Sequence, residues 1–357
     1  MTVMLKTRNG TLELLTSALA GDFKLTGLHV PDSPIFLAAA LPLRREAGGL
    51  KPRLPGGRGL TLDAAMLSAA AEALELRAIL ATSRHPAAVA GKSATGFDLV
   101  EAVEISTGRK HLVAAQLVFL DYAAIRSETL ATDADSNGCA VGIDHEDAQR
   151  RALLECIERD ALALWWRGKM ARPRLDLGLI DGHAPRLSWW LNDRSRPTVL
   201  LDITTNIGIP CVAAASCDPD GRHIAIGSAA NPDMSDAAIS AVTEMLQTEA
   251  SMALAAHSAE PDIAEWFAKA NLKTMAQFSP AGAQAGRPQA PADGPLQNLL
   301  DAGFAPLEVE CTRPGDPLPC VRALVPGLAT MRGTVPPERF AANGWTVPDK
   351  FEALDPF

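Results

Sequence analysis

The sequence has no pair of cysteines at the C-x2-C spacing that zinc ribbons and redox dithiols use. It also has no uncharged apolar run that approaches the ~18 residues of a membrane span. Its first 30 residues carry charges among short apolar pieces, unlike a signal peptide. These absences argue against a thiolate zinc site, a membrane protein and a secreted protein. The chain is predicted to be globular and cytoplasmic.

An excess of positive charge is missing as well. The chain has 33 basic and 42 acidic residues and a net charge of −9, whereas dedicated nucleic-acid binders usually present a net basic surface. Nucleic acid is therefore not an expected partner. With 47% hydrophobic and 21% charged residues, the 357-residue chain can bury a sizeable core. This composition excludes disorder, collagen-like structure and coiled coil as the main architecture.

Segments rich in β-branched residues alternate irregularly with long helical segments. The predicted strands are Phe97–Ser106, His111–Phe119, Thr198–Thr205, Pro210–Ser216, His223–Ala229 and Cys320–Val325. The predicted helices cover residues 61–82, 144–167, 235–257 and 259–277. The regular spacing of a doubly wound sheet is lacking, so the predicted fold class is α/β of the mixed α+β kind. Residues 279–295 hold seven Gly or Pro in 17 positions and are predicted to be a mobile insertion within one domain.

Three of the predicted helices carry one pattern of small and acidic residues in the same register. The copies are Ala65-x3-Ala69-x2-Glu72-x2-Glu75, Ala148-x3-Ala152-x2-Glu155-x2-Glu158 and Ala237-x3-Ala241-x2-Glu244-x2-Gln247. Positions i and i+3 lie on one helix face, so each copy places its two polar residues beside a small-residue surface. A single Glu-x2-Glu pair is typical of a solvated face. Three copies in register indicate repeated strand–helix units whose acids face a partner.

Hard oxygen clusters suit Mg²⁺, and magnesium held by carboxylates usually implies a phosphate ligand. We therefore expect a Mg-nucleotide site, with Glu72, Glu75, Glu155 and Glu158 as metal ligands. A Walker A loop is not part of this expectation. In residues 86–93, Pro86 stands where G-x4-G-K-[ST] needs its first glycine, and proline has a fixed φ and no N–H. Residues 56–59 (GGRG) are predicted to be a glycine-rich loop leading into the first acidic helix.

Residues 135–166, DSNGCAVGIDHEDAQRRALLECIERDALALWW, resemble the signature of the YcaO superfamily, most closely its thiazole/oxazole-forming peptide maturase branch. Further similarity lies in GGRGLTLDAAMLSAAAEALE (56–75), in residues 241–247 and in VRALVPGL (321–328). The resemblance covers roughly residues 50–357. It predicts a short N-terminal segment, 1–50, followed by a YcaO-like domain, 51–357.

The resemblance implies an enzyme that uses ATP and Mg²⁺ on a peptide backbone. In such enzymes a Cys, Ser or Thr side chain attacks the preceding amide, ATP phosphorylates the oxyanion, and loss of phosphate leaves an azoline. Related members make thioamides with a TfuA-like partner, and a third alternative is a non-catalytic homologue that binds a peptide or partner. The implied partners are a ribosomally made precursor peptide and an E1-like, leader-binding or TfuA-like protein. A homodimer is also left open.

The resemblance also implies the nucleotide-binding positions, and no catalytic residue is assigned. These positions are Arg58, Ser68, Glu72, Glu75, Asn137, Asp147, Glu155, Glu158, Arg159, Gln247 and Arg322. Four positions depart from the family pattern: Arg58 replaces Lys, Leu76 replaces Arg, Ile143 replaces Ser or Asn, and Arg151 replaces Gln. Arg77, one position after Leu76, is a candidate for the missing cation. The expectation is that metal binding is kept and phosphate contacts are rearranged.

Overall fold

The structure is a computed structural model, and it describes residues 2–28, 30, 32–43, 53–81, 90–94, 96–126, 134–255, 261–279, 294–331, 333 and 335–354. The chain divides into two compact units. The first unit comprises Met1–Pro31, Phe36–Leu153 and Ala305–Pro326, and the second comprises Asp32–Ile35, Leu154–Phe304 and Gly327–Phe357. The division into residues 1–50 and 51–357 stays a prediction. Most of the predicted insertion, residues 280–293, lies outside the described residues.

The helices and strands are numbered in chain order. The α-helices are α1 (Thr2–Leu19), α2 (Leu62–Ile79), α3 (Ala115–Val118), α4 (Tyr122–Arg126), α5 (His145–Arg167), α6 (Pro185–Asp193), α7 (Met234–Ala255), α8 (Pro261–Lys269), α9 (Pro295–Asp301) and α10 (Pro337–Ala342). The strands are β1 (Phe23–Leu28), β2 (Phe36–Pro42), β3 (Gly56–Gly59), β4 (Gly91–Lys92), β5 (Asp98–Glu104), β6 (Lys110–Ala114), β7 (Cys139–Val141), β8 (Arg174–Leu175), β9 (Thr198–Asp202), β10 (Cys211–Ser216), β11 (Ala225–Ala230), β12 (Leu307–Glu310) and β13 (Cys320–Leu324). Within the described ranges, none of these helices has the length and apolarity to cross a bilayer.

Among the described residues, three antiparallel sheets organise the two units, which confirms the mixed α/β fold class. The first unit holds a three-stranded sheet in the order β1-β2-β3 and a six-stranded sheet in the order β4-β5-β12-β13-β7, with β6 paired to β5. In this unit α2 packs against β2 and β3. The second unit holds a four-stranded sheet in the order β11-β10-β9-β8, and α7 packs against β10 and β11.

The three helices that carry the repeat form as predicted, and two other segments differ from the prediction. The helix predicted over 259–277 ends at Lys269, and a turn and a short 3-10 helix follow it. The strand predicted over His111–Phe119 ends at Ala114, where the chain turns into α3. In both cases the type of element was predicted correctly, but the element ends earlier than predicted. These errors arise because apolar periodicity does not show where tertiary contacts end an element.

The glycine-rich loop predicted at residues 56–59 is wrong, because these residues form strand β3. Gly56 pairs with Ala39 and Gly59 pairs with Phe36 along β2. Glycine has a low intrinsic preference for strands, but tertiary pairing overrides this preference. Because glycine has no side chain, β3 can pack closely against α2.

Each unit has its own core. In the first unit, α1 and α2 contribute Leu15, Leu19 and Leu74 to one cluster, all at most 1% exposed. In the second unit, Trp165 and Trp166 are fully buried, and their ring centroids lie 5.6 Å apart. Their indole N–H groups donate to the carbonyls of Gln277 and Leu354 respectively, which satisfies the polar end of each ring.

Candidate functional site

The repeat seen in the sequence is a repeat of strand–helix packing. Gly57, Gly142 and Gly227 each lie against the helix that follows them in the chain. A Cβ on these glycines would lie 2.1, 2.1 and 2.3 Å from the nearest backbone atom of that helix, closer than any side chain can approach. The small residues of the pattern are all fully buried: Ala65, Ala69, Ala148, Ala152, Ala237 and Ala241. Because a glycine packs against an alanine-rich helix in each copy, the two segments approach closely. The polar residues of the pattern follow the second alanine at the same spacing in each copy.

The α2 carboxylates are held by backbone N–H groups. Glu72 Oε2 accepts from Gly56 N over 3.1 Å, and Glu75 Oε1 accepts from Val141 N over 2.8 Å. Hydrogen bonds from backbone N–H favour the ionised form of a carboxylate. These bonds also fix the side-chain positions, as a preorganised anionic site requires.

The α5 carboxylates are held by side chains of the second unit. Glu158 Oε1 accepts from the Ser228 hydroxyl over 2.7 Å. The Arg159 guanidinium lies 3.4 Å from Glu158 and 3.8 Å from Glu155. All three ionic side chains are only 14–28% exposed. A cation therefore already compensates the repulsion between the two acids.

The second acid of α2 accepts from a backbone N–H and the second acid of α5 accepts from a serine hydroxyl. Glu75 bonds Val141, which immediately precedes Gly142. Glu158 bonds Ser228, which immediately follows Gly227. In each case the second glutamate of one copy bonds the strand region of the next copy. Glu75 and Glu158 are therefore structural parts of the repeat, and the solvated-face alternative does not describe these two carboxylates.

Asp147 lies in the first turn of α5 and has three donors. Ile143 N donates over 3.2 Å, and the guanidinium groups of Arg150 and Arg151 donate over 2.7 and 2.8 Å. Burial favours the neutral form of this carboxyl, but these hydrogen bonds and charges outweigh it, so the pKa of Asp147 is lowered.

Asn137 and Arg322 meet at Asp135. The Asn137 amide donates to Asp135 Oδ2 over 2.6 Å. Arg322 Nη1 donates to the Asp135 carbonyl over 2.7 Å. The Arg322 side chain is 3% exposed, and its Nε has no hydrogen-bond partner among the described residues. The structure thus brings together two expected positions that are 185 residues apart in the sequence.

The remaining expected positions, Arg58, Ser68 and Gln247, are partly exposed. Ser68 precedes Glu72 by four residues and shares its face of α2. Gln247 lies on α7 in the third copy of the repeat. Arg58 lies on β3 between Gly57 and Gly59, both of which face α2. Because side chains alternate along a strand, Arg58 lies on the face of β3 away from α2.

Two of the four departures from the family pattern, Arg151 and Leu76, have local structural roles. Arg151 pairs with Asp147, and the Leu76 side chain packs against the core of the first unit. The expectation that Arg77 replaces a missing cation beside the α2 acids is not met. Arg77 donates to the Ala18 carbonyl over 2.8 Å and pairs with Asp22 and Asp316. One position along a helix is a rotation of about 100°, which directs this guanidinium towards other partners.

Sequence reasoning missed one cluster of metal-ligating side chains. His183, Asp233 and Asp236 each offer one ligand atom, and these atoms lie within 4.8 Å of one another. All three residues are exposed, and Asp233 already accepts from two backbone N–H groups in the first turn of α7. His183 lies 50 residues from Asp233, so no local spacing signals this cluster.

Comparisons with known proteins agree with these observations. A model of the family "YcaO cyclodehydratase, ATP- and Mg²⁺-binding" matches residues 80–329. A curated relative from Rhizobium leguminosarum bv. trifolii, described as an uncharacterized protein in the tfuA 3′ region, is 28% identical over 231 residues. This match covers 54% of either protein, so the chain spans about half the length of the curated relative it matches.

Solved structures share the fold at low sequence identity. A heterocyclase in complex with substrate and cofactor has a TM-score of 0.80 and 19% identity, covering 97% of this chain and 57% of that one. YcaO from Methanopyrus kandleri, bound with AMPPCP and Mg²⁺, has a TM-score of 0.73 and 21% identity, covering 93% and 95%. The E. coli microcin synthetase McbBCD complex has a TM-score of 0.64 and 14% identity, covering 85% and 86%.

Proposed function

The chain belongs to the YcaO family of ATP- and Mg²⁺-binding cyclodehydratases, and we propose that it is the ATP-dependent subunit that converts Cys, Ser or Thr of a ribosomally made peptide to azolines. One observation carries the proposal furthest. The second glutamates of α2 and α5 are each fixed by a hydrogen bond from the strand region of the next repeat. Such positioning is expected of ligands and is not needed for solubility.

In this proposal the glutamates of α2 and of α5 are the residues that would hold a magnesium nucleotide. Glu72, Glu75, Glu155 and Glu158 offer hard carboxylate oxygens, the ligand type that Mg²⁺ prefers. A carboxylate has about four lone-pair positions, so one hydrogen bond to the protein leaves capacity for a metal. When bound, Mg-ATP supplies the phosphoryl group that turns an amide oxygen into a leaving group.

The cationic side chains would contribute in a different way. Arg159 holds Glu155 and Glu158 in place and offers a planar guanidinium suited to a phosphate oxygen. Arg322 keeps an Nε donor without a partner in the described part of the chain. A buried donor left without a partner costs free energy, and a bound anion or water would remove that cost. We assign both arginines to nucleotide binding.

A thioamide-forming activity is the second candidate. It is favoured by the relative from R. leguminosarum, which is described by its place beside tfuA. The two activities would use the same ATP chemistry and differ in the incoming nucleophile, which is sulfide for the thioamide. Either activity is expected to need a second protein that delivers the precursor peptide, an E1-like or leader-binding protein in the first case and a TfuA-like protein in the second.

Mass spectrometry of a precursor peptide separates these candidates. The peptide is incubated with the protein, ATP and Mg²⁺. The reaction also contains the E1-like, leader-binding or TfuA-like protein encoded nearest to the gene of this protein. Loss of one water per modified residue identifies azolines, whereas exchange of one oxygen for sulfur, with sulfide present, identifies thioamides. Glu155→Gln should abolish the change, and Glu146→Gln, an exposed acid on the same helix, should retain it. An unmodified peptide and no consumption of ATP would leave only the non-catalytic alternative.

A further inference from the structure

The second unit contains a partly open cavity of about 300 Å³ beside α7. None of the residues that line it belongs to the expected nucleotide positions. One wall is apolar and is formed by Met252 and Ala253 of α7 and by Phe267 of α8. A volume of this size is at the lower limit of small-molecule sites. It is large enough for a single ring or one amino-acid side chain.

The other residues that line the cavity are polar or charged: Arg196, Asp218, His223 and Glu249. Arg196 pairs with Asp218, and its Nε donates to Ser216 Oγ over 3.0 Å. Arg194 donates to both oxygens of Glu249 over 3.0 Å. Two guanidinium groups thus balance two carboxylates. Arg194 does not line the cavity, but it pairs with Glu249, so each lining carboxylate has a guanidinium partner and we expect the cavity to favour a neutral ligand over an ion.

His223 lines the cavity and has a ring nitrogen that a ligand can bond. His223 Nδ1 lies 2.6 Å from Asp218 Oδ2. An ionised carboxylate can only accept, so Nδ1 carries a proton in this contact, and in the neutral tautomer Nε2 is then an acceptor. Within the described ranges no residue hydrogen-bonds this Nε2.

The position of the His223 ring is fixed from several sides. Its ring meets Phe267 edge to face, with centroids 4.8 Å apart, and its carbonyl accepts from Arg196. The backbone of His223 has φ +50, a left-handed conformation that the surrounding contacts must maintain. The acceptor is therefore preorganised at the edge of an apolar wall.

We propose that this cavity binds a neutral aromatic ring that carries a hydrogen-bond donor, such as a phenol or an indole. The ring lies against Met252 and Phe267, where sulfur–aromatic and aromatic contacts are favourable. Its O–H or N–H donates to His223 Nε2. Two sources supply this chemistry: a free small molecule, or a tyrosine or tryptophan side chain of a bound peptide.

Ligand-observed NMR with three probes tests the proposal. The probes are p-cresol, toluene, which lacks the hydroxyl, and the peptide acetyl-Gly-Gly-Tyr-Gly-Gly-amide. Ala253→Trp fills the cavity from an exposed position of α7, and Ser251→Trp adds the same side chain at an exposed position that does not line the cavity. Circular dichroism confirms that both variants retain the fold.

The proposal expects saturable p-cresol binding to the unmodified protein and to Ser251→Trp, with none to Ala253→Trp. Toluene should bind about fivefold more weakly, because its complex lacks one hydrogen bond. Binding of the tyrosine peptide at least as tight as that of p-cresol identifies a peptide side chain as the source, and binding of p-cresol alone identifies a free molecule. No saturable binding of either phenol, or equal binding to Ala253→Trp, would overturn the proposal. None of these readings depends on ATP, so they are independent of the proposed enzymatic function.

Discussion

The Ser228 hydroxyl on β11 donates a 2.7 Å hydrogen bond to Glu158 Oε1 on α5. Ser228 is 2% exposed and the Glu158 side chain is 14% exposed, so the bond lies in a region of low dielectric, where it is stronger than in water. The hydrogen bond to Glu75 comes instead from the backbone N–H of Val141. A substitution of Ser228 therefore removes the hydrogen bond to Glu158, whereas no side-chain substitution other than proline removes the backbone donor to Glu75.

Ser228→Ala should lower the free energy of unfolding by about 1.5–3 kcal/mol, because it removes a hydrogen bond to a charged group. Glu158 loses its fixed position at the same time, so the affinity for Mg-ATP should also fall. Urea unfolding and nucleotide titration measure the two effects. Ser251→Ala, at an exposed position of α7, should change the unfolding free energy by less than about 0.5 kcal/mol. Unchanged nucleotide affinity in Ser228→Ala would remove Glu158 from the site.

Glu155→Gln should separate stability from nucleotide binding. The Glu155 carboxylate lies 3.8 Å from Arg159, and both side chains are about a quarter exposed. Such an ion pair contributes at most about 1 kcal/mol, so the unliganded protein should keep its melting temperature almost unchanged. Mg-ATP should raise the melting temperature of the unmodified protein by ligand linkage and should fail to raise that of Glu155→Gln. Glu146→Gln is the matched control on α5. The nucleotide site is wrong if Mg-ATP stabilises Glu155→Gln as it does the unmodified protein.

Gly227→Ala should be strongly destabilising. Its Cβ would lie 2.3 Å from Ala241 O and from Met245 N. Backbone atoms of α7 cannot move aside as a flexible side chain does, so a loss of about 3 kcal/mol is expected. Gly182→Ala is a suitable control, because a Cβ there meets no atom within 4 Å. Similar melting temperatures for both variants would show that the close approach of strand and helix is not required.

Asp147 should stabilise the protein in a pH-dependent way. Its pKa is lowered in the folded state, so its contribution is fully present above its unfolded pKa of about 3.9. The contribution is lost as pH falls through the folded pKa, because the native state must then take up a proton that it holds poorly. The difference in unfolding free energy between the unmodified protein and Asp147→Asn should be constant from about pH 5 to pH 7 and should shrink below about pH 4. A difference that does not vary with pH would contradict the ion pairs with Arg150 and Arg151.

The repeat and its register could be predicted from the sequence because they are local properties. An Ala-x3-Ala-x2-Glu-x2-Glu spacing determines which side chains share a helix face, whatever the helix packs against. The helices α2, α5 and α7 accordingly lie where the pattern placed them. Charge balance and the absence of long apolar runs likewise set expectations about the class of protein from the sequence alone.

Tertiary structure decided the partners of each carboxylate and the path of the chain around them. Glu75 bonds a residue 66 positions away, and Arg77 pairs with Asp316 across 239 positions. The residues 56–59 form a strand because β2 is there to pair with them. The cavity beside α7 joins residues between 196 and 267. Contacts of this range depend on which segments meet after the chain has folded, and no periodicity within a window of sequence carries that information.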